Sequence, residues 1–402
     1  MSFRPSSNLE HLKTSETVAI STEAKRRKAA GEDVLDLGVG EPDFDTPLAV
    51  ADAGIAAIRA RKTRYPPNVG IPELRVAMAS ALSRMSGGRT VDPDRLIVSN
   101  GSKQALFNAC FTLFGPGDEV LIPSPAWVSY PQIVHLARAT PVAVAGDPEW
   151  GFKVSVADLE HHRNASTRGL IICSPCNPTG SVYTAAELTA IAAWAREHRI
   201  WLISDEIYRR IYYGAGPAPS LFDLDDSVLE RSVVIYGASK AYAMTGWRIG
   251  AAYAPADVVK AMAALQSHTT TGANQPAMWA AAEAFGNPER DAEVDRMVDA
   301  FRRRRDYLVA RFQEQAPGVE FVEPHGAFYI FFRVDGIAPG LGGANFCERF
   351  MSEEGVALVP GAAFGDDRWV RLSYSVSDAE LEAACDRLMR FIAHVGATSA
   401  TR

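Results

Sequence analysis

Cysteine is scarce in this chain, with five among 402 residues. So few, and an odd number, do not make a disulfide framework, and a reducing, cytoplasmic setting is the expectation. Basic charge is also in short supply: 41 Lys and Arg against 48 Asp and Glu leave a formal net charge of −7. Nucleic-acid binding usually needs a basic surface, so this balance argues against it. No apolar stretch approaches the ~20 residues that span a bilayer. Met1 to Arg27 is studded with charges and lacks the apolar centre of a signal peptide. Internal repeats and low-complexity linkers are missing too. What is present is ordinary for a globular enzyme: 47% hydrophobic, 22% charged and 9% aromatic residues. At ~150 residues per domain, the length suggests two or three domains.

Short apolar runs alternate with longer helical patterns through most of the chain. The runs are Arg95–Ser99, Glu119–Pro123, Thr140–Val144, Gly169–Cys173, Ile200–Ser204, Val233–Tyr236 and Arg248–Tyr253. Helical patterns at Lys103–Phe114, Trp127–Ala137 and Thr184–His198 separate several of them. Such alternation predicts an α/β fold, with a mainly parallel seven-stranded sheet flanked by helices, in one large domain over 47–287. Two long helical stretches, Ala254–Phe285 and Pro288–Gln315, come next. A smaller α+β domain over 288–402 contains strand patterns at Ala327–Phe331, Val356–Val359 and Trp369–Ser375. It closes with an amphipathic helix from Asp378, capped by Ser377. The segment 1–46 is too short to fold alone and is expected to pack on the smaller domain. Arg302 to Arg305 carries four positive charges within a helical pattern and reads as a solvated face.

Three neighbouring runs end in groups with chemistry. Lys240 follows one in Gly237-Ala-Ser-Lys240, Asp205 ends another, and Asn177 follows a third in Cys173-Ser-Pro-Cys-Asn177-Pro-Thr-Gly180. Ligands of open α/β sheets bind at the carboxyl ends of strands. An amine, a carboxylate and an amide there suit a cofactor held as a Schiff base: amine for its aldehyde, carboxylate for a pyridinium nitrogen, amide for a phenolic oxygen.

With these residues in view, the chain resembles the class I/II pyridoxal-phosphate aminotransferases of fold type I, and most closely the prokaryotic aspartate aminotransferase subgroup. The likeness covers nearly the whole chain. It includes Gly40-Glu-Pro-Asp-Phe-Asp-Thr-Pro47, Arg64-Tyr65-Pro-Pro, Gly70-Ile-Pro-Glu-Leu-Arg75 and Ser99-Asn-Gly-Ser-Lys103-Gln. It continues through Asn177-Pro-Thr-Gly180, Ser204-Asp205-Glu-Ile-Tyr208, Ser239-Lys240, Met244-Thr-Gly-Trp-Arg248, Gly326-Ala-Phe-Tyr329 and Val370-Arg371-Leu-Ser.

The resemblance implies pyridoxal 5′-phosphate as cofactor and no metal. It implies Lys240 as the Schiff-base lysine and proton carrier, a role that burial and a nearby cation would favour by lowering its pKa. Arg248, Ser102 and the N–H groups from Ser102 through Lys103 to Gln104 would hold the phosphate at a helix start. Asp205 would keep the pyridine nitrogen protonated. Tyr208 and Asn177 would bond the phenolic oxygen, and Trp127 would stack on the ring. Arg371, helped by Gly40 and Asn177, would clamp the substrate α-carboxylate. Tyr65 would reach the cofactor phosphate of a neighbouring subunit, which implies a homodimer with shared active sites. Trp127 would also border the substrate, and Lys103 with Thr17 would hold a distal carboxylate. The implied activity is therefore ping-pong transfer of an amino group between aspartate or glutamate and 2-oxoglutarate or oxaloacetate.

Some features pull elsewhere. Thr269–Gln275, where the family's partner subunit makes side-chain contacts, holds no arginine, which leaves aromatic amino acids or prephenate open as substrates. A β-lyase of the same fold would share the Lys240, Asp205 and Arg248 core. Gly237 stands where some relatives carry a phosphate-binding serine. Cys173-x-x-Cys176 has no second pair at zinc-like spacing and reads as packing; relatives often have serine at Cys176, which leaves sensitivity to thiol reagents open. His161 and His162 close a polar helix and read as solvent-facing. A transcription regulator built on this fold would need a basic DNA-binding module, for which there is no room. Gly38-Val-Gly40 lacks the third glycine and the helix of a dinucleotide-binding turn.

Overall fold

The computed structural model describes residues 6–14, 16–338 and 340–400. Its centre is a seven-stranded sheet of β1 (Leu96–Asn100), β2 (Glu119–Ser124), β3 (Thr140–Ala145), β4 (Thr167–Cys173), β5 (Trp201–Asp205), β6 (Ser232–Gly237) and β7 (Ile249–Tyr253). In space the strands run β1-β7-β6-β5-β4-β2-β3. All neighbours are parallel except β7, which is antiparallel to both β1 and β6. Each apolar run identified in the sequence is a strand, shifted by no more than two residues at either end.

The runs are continuously apolar because both faces of the sheet are covered. Side chains alternate between two cores, as a period of two requires. Leu96, Val98, Leu170, Ile172, Leu202 and Val234 join a core built with helices Pro72–Met85, Ala185–Glu197 and Gln275–Gly286. Ile97, Ile171, Cys173, Ile203, Val233 and Ile235 face the other way, against Ala105, Leu106 and Ala109 of helix Ser102–Leu113.

A four-stranded antiparallel sheet is assembled later in the chain, in the order Val359–Pro360, Trp369–Ser373, Tyr329–Arg333, Phe321–Val322. Phe331 and Trp369 stack on one of its faces, with ring centroids 5.3 Å apart and planes 13° from parallel. The N-terminal segment meets this region directly. Leu35–Asp36 pairs in parallel with Val356–Ala357, and the Ser373 N–H donates to the Leu37 carbonyl at 2.8 Å. Among the described residues no helix is long and apolar enough to cross a membrane.

The structure departs from the sequence pattern in three places. Ala254–Phe285 is two helices, Ala256–Ser267 and Gln275–Gly286. Three consecutive threonines and Gly272 interrupt the pattern, and the Asn274 side chain caps the second helix by accepting the Ala277 N–H at 3.0 Å. Val356–Val359 is likewise split, with Val356–Ala357 in one sheet and Val359–Pro360 in another.

The third departure concerns the arginine run, which is not a uniformly solvated face. Arg304 is 8% exposed. It holds both oxygens of Asp43 at 2.8 and 2.9 Å, while its Nε donates to Asp378 at 2.6 Å. One guanidinium thus ties helix Glu289–Gln315 to the N-terminal segment and to the start of the last helix. Arg304→Ala strands the Asp43 carboxylate and is expected to cost on the order of 3 kcal/mol. A lowered urea midpoint for unfolding would show this, and an unchanged midpoint would refute it.

Candidate active site

The carboxyl ends of β4, β5 and β6 open onto a cavity of about 460 Å³. The loops after them carry Asn177 and Lys240, and β5 itself ends in Asp205. Segments from both ends of the chain complete the walls: Thr17, Gly38 and Gly40 from the N-terminal part, Tyr329 and Arg371 from strands of the later sheet.

Lys240 sits three residues past Gly237, and its ammonium donates to the Gly40 carbonyl. Burial pushes its pKa from 10.5 down to about 8; Glu41 opposes this, while Arg371 and Arg248 add to it. Burial rather than a neighbouring cation is therefore the larger cause. A lysine poised near 8 gives up its proton far more readily than a solvated one.

Asp205 is 4% exposed, and burial pushes its carboxyl up to about 6. Hydrogen bonds from the Tyr130 hydroxyl at 2.8 Å and the Ile207 N–H at 3.2 Å counter the burial. A buried carboxylate held by donors on one side calls for a positive partner on the other. Tyr208 is buried beside it, its hydroxyl 2.7 Å from that of Tyr329. Trp127 meets Tyr130 edge to face at a centroid distance of 5.3 Å.

Arg371 lies in the middle of strand Trp369–Ser373 and is 2% exposed. Its Nη1 donates to Asn177 Oδ1 at 2.9 Å and its Nη2 to the Gly38 carbonyl at 2.5 Å. Its Nε is buried and has no protein partner. Such a fork, only partly satisfied, fits a carboxylate.

The helix Ser102–Leu113 begins at Gly101, which has φ of +80° and no side chain to cap the first turn. Its N-terminal N–H groups thus remain available to an anion. Three glycines make the approach close. A Cβ at Gly101 would collide with the Arg248 guanidinium, one at Gly250 with the Ser102 backbone, and one at Gly237 would lie 2.6 Å from Ser102 Oγ. Gly237 thus sits where helix and sheet meet tightly, and a side chain there would require the Ser102 hydroxyl to turn away. Arg248 itself has φ of +58°, a costly conformation for a non-glycine residue, and its Nη1 donates to the Thr245 carbonyl at 2.9 Å.

Lys103 stands at the mouth, with Nζ 4.9 Å from the Trp127 ring centroid. Burial and the charge of Arg248 lower its pKa. Thr17 lines the same cavity from the first turn of helix Glu16–Ala29.

Two expected residues stand apart. Gln104 does not line the cavity: its N–H bonds to the Gly101 carbonyl at 3.1 Å, and its side chain spans from the Asn100 N–H to Thr270. The anion donors therefore stop at Lys103. Tyr65 is 91% exposed and lies outside the cavity of its own chain. Conversely, the sequence reading assigned no role to Tyr130, Tyr329 or Cys173, all of which line the cavity. Tyr329 stood inside a quoted motif. Tyr130 had only its place three residues after Trp127 as a signal.

These donors fit a phosphorylated pyridine aldehyde together with a carboxylate. The glycine cradle and Arg248 suit the phosphate, Asp205 a protonated ring nitrogen, Lys240 the aldehyde, and the remaining N–H groups of the Arg371 guanidinium the carboxylate.

Comparison with known proteins shows the family of the chain. The family model "Aminotransferase class I and II" matches residues 32–388. A "Bifunctional aspartate aminotransferase and glutamate/aspartate-prephenate aminotransferase" from Petunia hybrida is 42% identical over 395 residues, covering 96% of this chain and 82% of that protein. The "Aspartate aminotransferase" of Bacillus subtilis is 40% identical, over 95% of this chain and 97% of its own. Among solved structures, the aspartate aminotransferase of Thermus thermophilus with maleate superposes with a TM-score of 0.91. It is 41% identical and covers 97% of this chain and all of its own.

Proposed function

The chain belongs to the class I and II aminotransferases, and from that premise we propose that it binds pyridoxal 5′-phosphate and prefers dicarboxylic substrates. The pair is aspartate with 2-oxoglutarate, giving oxaloacetate and glutamate by a ping-pong cycle. The carrying observation is the arrangement of charge in one cleft, whose lining holds Arg371, Lys240 and Lys103 together. Two fixed cations for two carboxylates favour a substrate acidic at both ends.

When bound, the cofactor supplies an aldehyde and an electron-withdrawing ring, chemistry that no side chain offers. The protein's own groups do the rest. Arg371 and Asn177 fix the α-carboxylate, which sets which Cα bond faces Lys240. Lys240 Nζ, neutral near pH 8 because it is buried, takes the Cα proton and returns it on the other side of the exchange. Asp205, oriented by Tyr130, keeps a proton on the ring nitrogen. Tyr208 and Asn177 would donate to the phenolic oxygen, Trp127 would cover the ring, and Ser102 with Arg248 would anchor the phosphate.

The same reading assigns the cofactor unit to 47–287 and a smaller unit to 288–402 that packs with 1–46. It makes the protein a cytoplasmic homodimer in which Tyr65, exposed in one chain, reaches the partner's site. Light scattering on the purified protein tests the dimer.

Substrate preference is tested by a kcat/KM panel of amino donors with 2-oxoglutarate. Aspartate should exceed phenylalanine. Lys103→Ala should lower the aspartate value by about 10- to 100-fold, as loss of one charge-assisted hydrogen bond implies, and leave phenylalanine nearly unchanged. Equal values for the two donors in the wild type would end the dicarboxylate assignment. A second reading, prephenate as amino acceptor, is favoured by the absence of arginine from Thr269–Gln275 and by the Petunia relative's name. It belongs in the same panel. Pyruvate release from a β-substituted amino acid would reveal β-lyase activity.

A further inference from the structure

Cys173 and Cys176 have no part in the transamination chemistry, yet they are built into its site. Cys173 ends β4 and lines the substrate cavity, with its thiol 3.3 Å from the Pro175 carbonyl. It is also within hydrogen-bonding reach of the Tyr130 hydroxyl and of the Cys176 thiol. Cys176 is only partly buried. A separate cavity of about 20 Å³ is lined by both cysteines, together with Thr179 and Tyr130, which is room for one water-sized molecule. The other three cysteines, Cys110, Cys347 and Cys385, are buried elsewhere.

We propose that Cys173 and Cys176 form a reversible disulfide on exposure to hydrogen peroxide, and that this bridge switches the aminotransferase off. The Cys176 sulfur attacks one peroxide oxygen; the S–O bond forms, the O–O bond breaks, and hydroxide leaves to become water. The Cys173 sulfur then attacks Cys176, the S–S bond forms, and the oxygen departs as a second water. Two thiols lose two electrons and two protons, and one peroxide becomes two waters. Cys176 is suited to be the attacking sulfur because hydrogen bonds from Cys173 and Thr179 favour its thiolate.

Both ends of the bridge adjoin bonds the reaction needs. Cys176 precedes Asn177, whose Oδ1 holds Arg371. Cys173 neighbours Tyr130, which donates to Asp205. A bond between the two sulfurs ties down the segment that ends at Asn177 and engages the thiol beside Tyr130.

The test treats the holoenzyme with hydrogen peroxide and follows both peptide masses and transamination. The peptide containing both cysteines should lose two hydrogens. Activity should fall by on the order of 10²-fold, as an ångström-scale misplacement does, and return with dithiothreitol. Cys176→Ser should form no bridge and keep its activity under the same exposure. Oxygen addition at either cysteine without a bridge would overturn the proposal. So would inactivation of Cys176→Ser at the wild-type rate. Mapping the bridge needs no substrate, so it stands or falls separately from the substrate assignment.

Discussion

Lys240→Ala is expected to lower kcat for transamination by about 10⁴-fold or more, the upper end of what a positioned proton carrier contributes. No neighbouring group replaces it. Lys103 is at the cleft mouth against Trp127, Arg371 is engaged with Asn177 and Gly38, and a guanidinium does not give up its proton at neutral pH. Tyr208 is buried next to Tyr329 with its hydroxyl pKa pushed well up, so it donates a hydrogen bond but makes a poor base. Activity is compared under saturating aspartate and 2-oxoglutarate, with pyridoxal phosphate in excess. The colour of the protein is a second readout, since the wild type should be yellow as purified, whereas the variant has no amine to hold the cofactor covalently and should lose it on gel filtration. A variant turning over at wild-type rates, or a wild type that stays colourless with cofactor supplied, would overturn the role of Lys240.

The pKa of Lys240 gives this prediction a pH dimension. Without cofactor, burial holds the amine at about 8 instead of 10.5. The neutral amine that attacks an aldehyde is therefore well populated at pH 8, where a solvated lysine is almost wholly protonated. Covalent uptake of pyridoxal phosphate should accelerate up to about pH 8 and level off above it. An uptake rate still climbing steeply toward pH 10 would mean that the lysine is not depressed by its surroundings.

Much of this site was legible because its residues punctuate strands. A strand buried on both faces is a continuous apolar run, so Asp205 and Lys240 stand out where such runs stop, whereas Arg371, in mid-strand, is marked only by the family resemblance. What the sequence could not show is contact across distance. Nothing local joins Asn177 to Arg371, 194 positions apart, or Lys240 to the Gly40 carbonyl, 200 positions away. Only the family resemblance had grouped them. Periodicity also misjudged Arg304, because a helical stripe predicts that a side chain faces away from its own helix's core but not what lies beyond it. Here Asp43 and Asp378 lie beyond it. Gln104 shows the same limit at a smaller scale: its N–H closes a turn on Gly101, a use that the order Ser102-Lys103-Gln104 does not reveal. Gly237 reads in the sequence as a missing hydrogen bond, whereas the structure shows it also leaves room for the Ser102 hydroxyl.

Asp205→Asn is the second large effect, an expected loss of about 10³-fold in kcat, the scale of removing one preorganised electrostatic contact. The substitution is nearly isosteric: the amide oxygen can keep the Ile207 N–H bond, and the Tyr130 hydroxyl, which donates to the carboxylate at 2.8 Å, can turn to accept from the amide nitrogen. Position is therefore retained while the negative charge is lost. An amide cannot hold a proton on a neighbouring pyridine nitrogen as a carboxylate does, and the ring then accepts electrons poorly. The buried carboxyl has a pKa near 6 in the chain alone, set chiefly by burial. It is mostly charged above that value and mostly neutral below it. A positive ring nitrogen next to it lowers the pKa in the complex, so binding of the cofactor must weaken as pH falls through about 6. Titration of the cofactor phosphate in the same range affects wild type and variant alike. The difference between their binding curves isolates Asp205: the wild type should lose cofactor affinity more steeply below pH 6 than Asp205→Asn. Parallel curves, or a variant with kcat within tenfold of wild type, would mean that the proton on the ring is held by something other than Asp205.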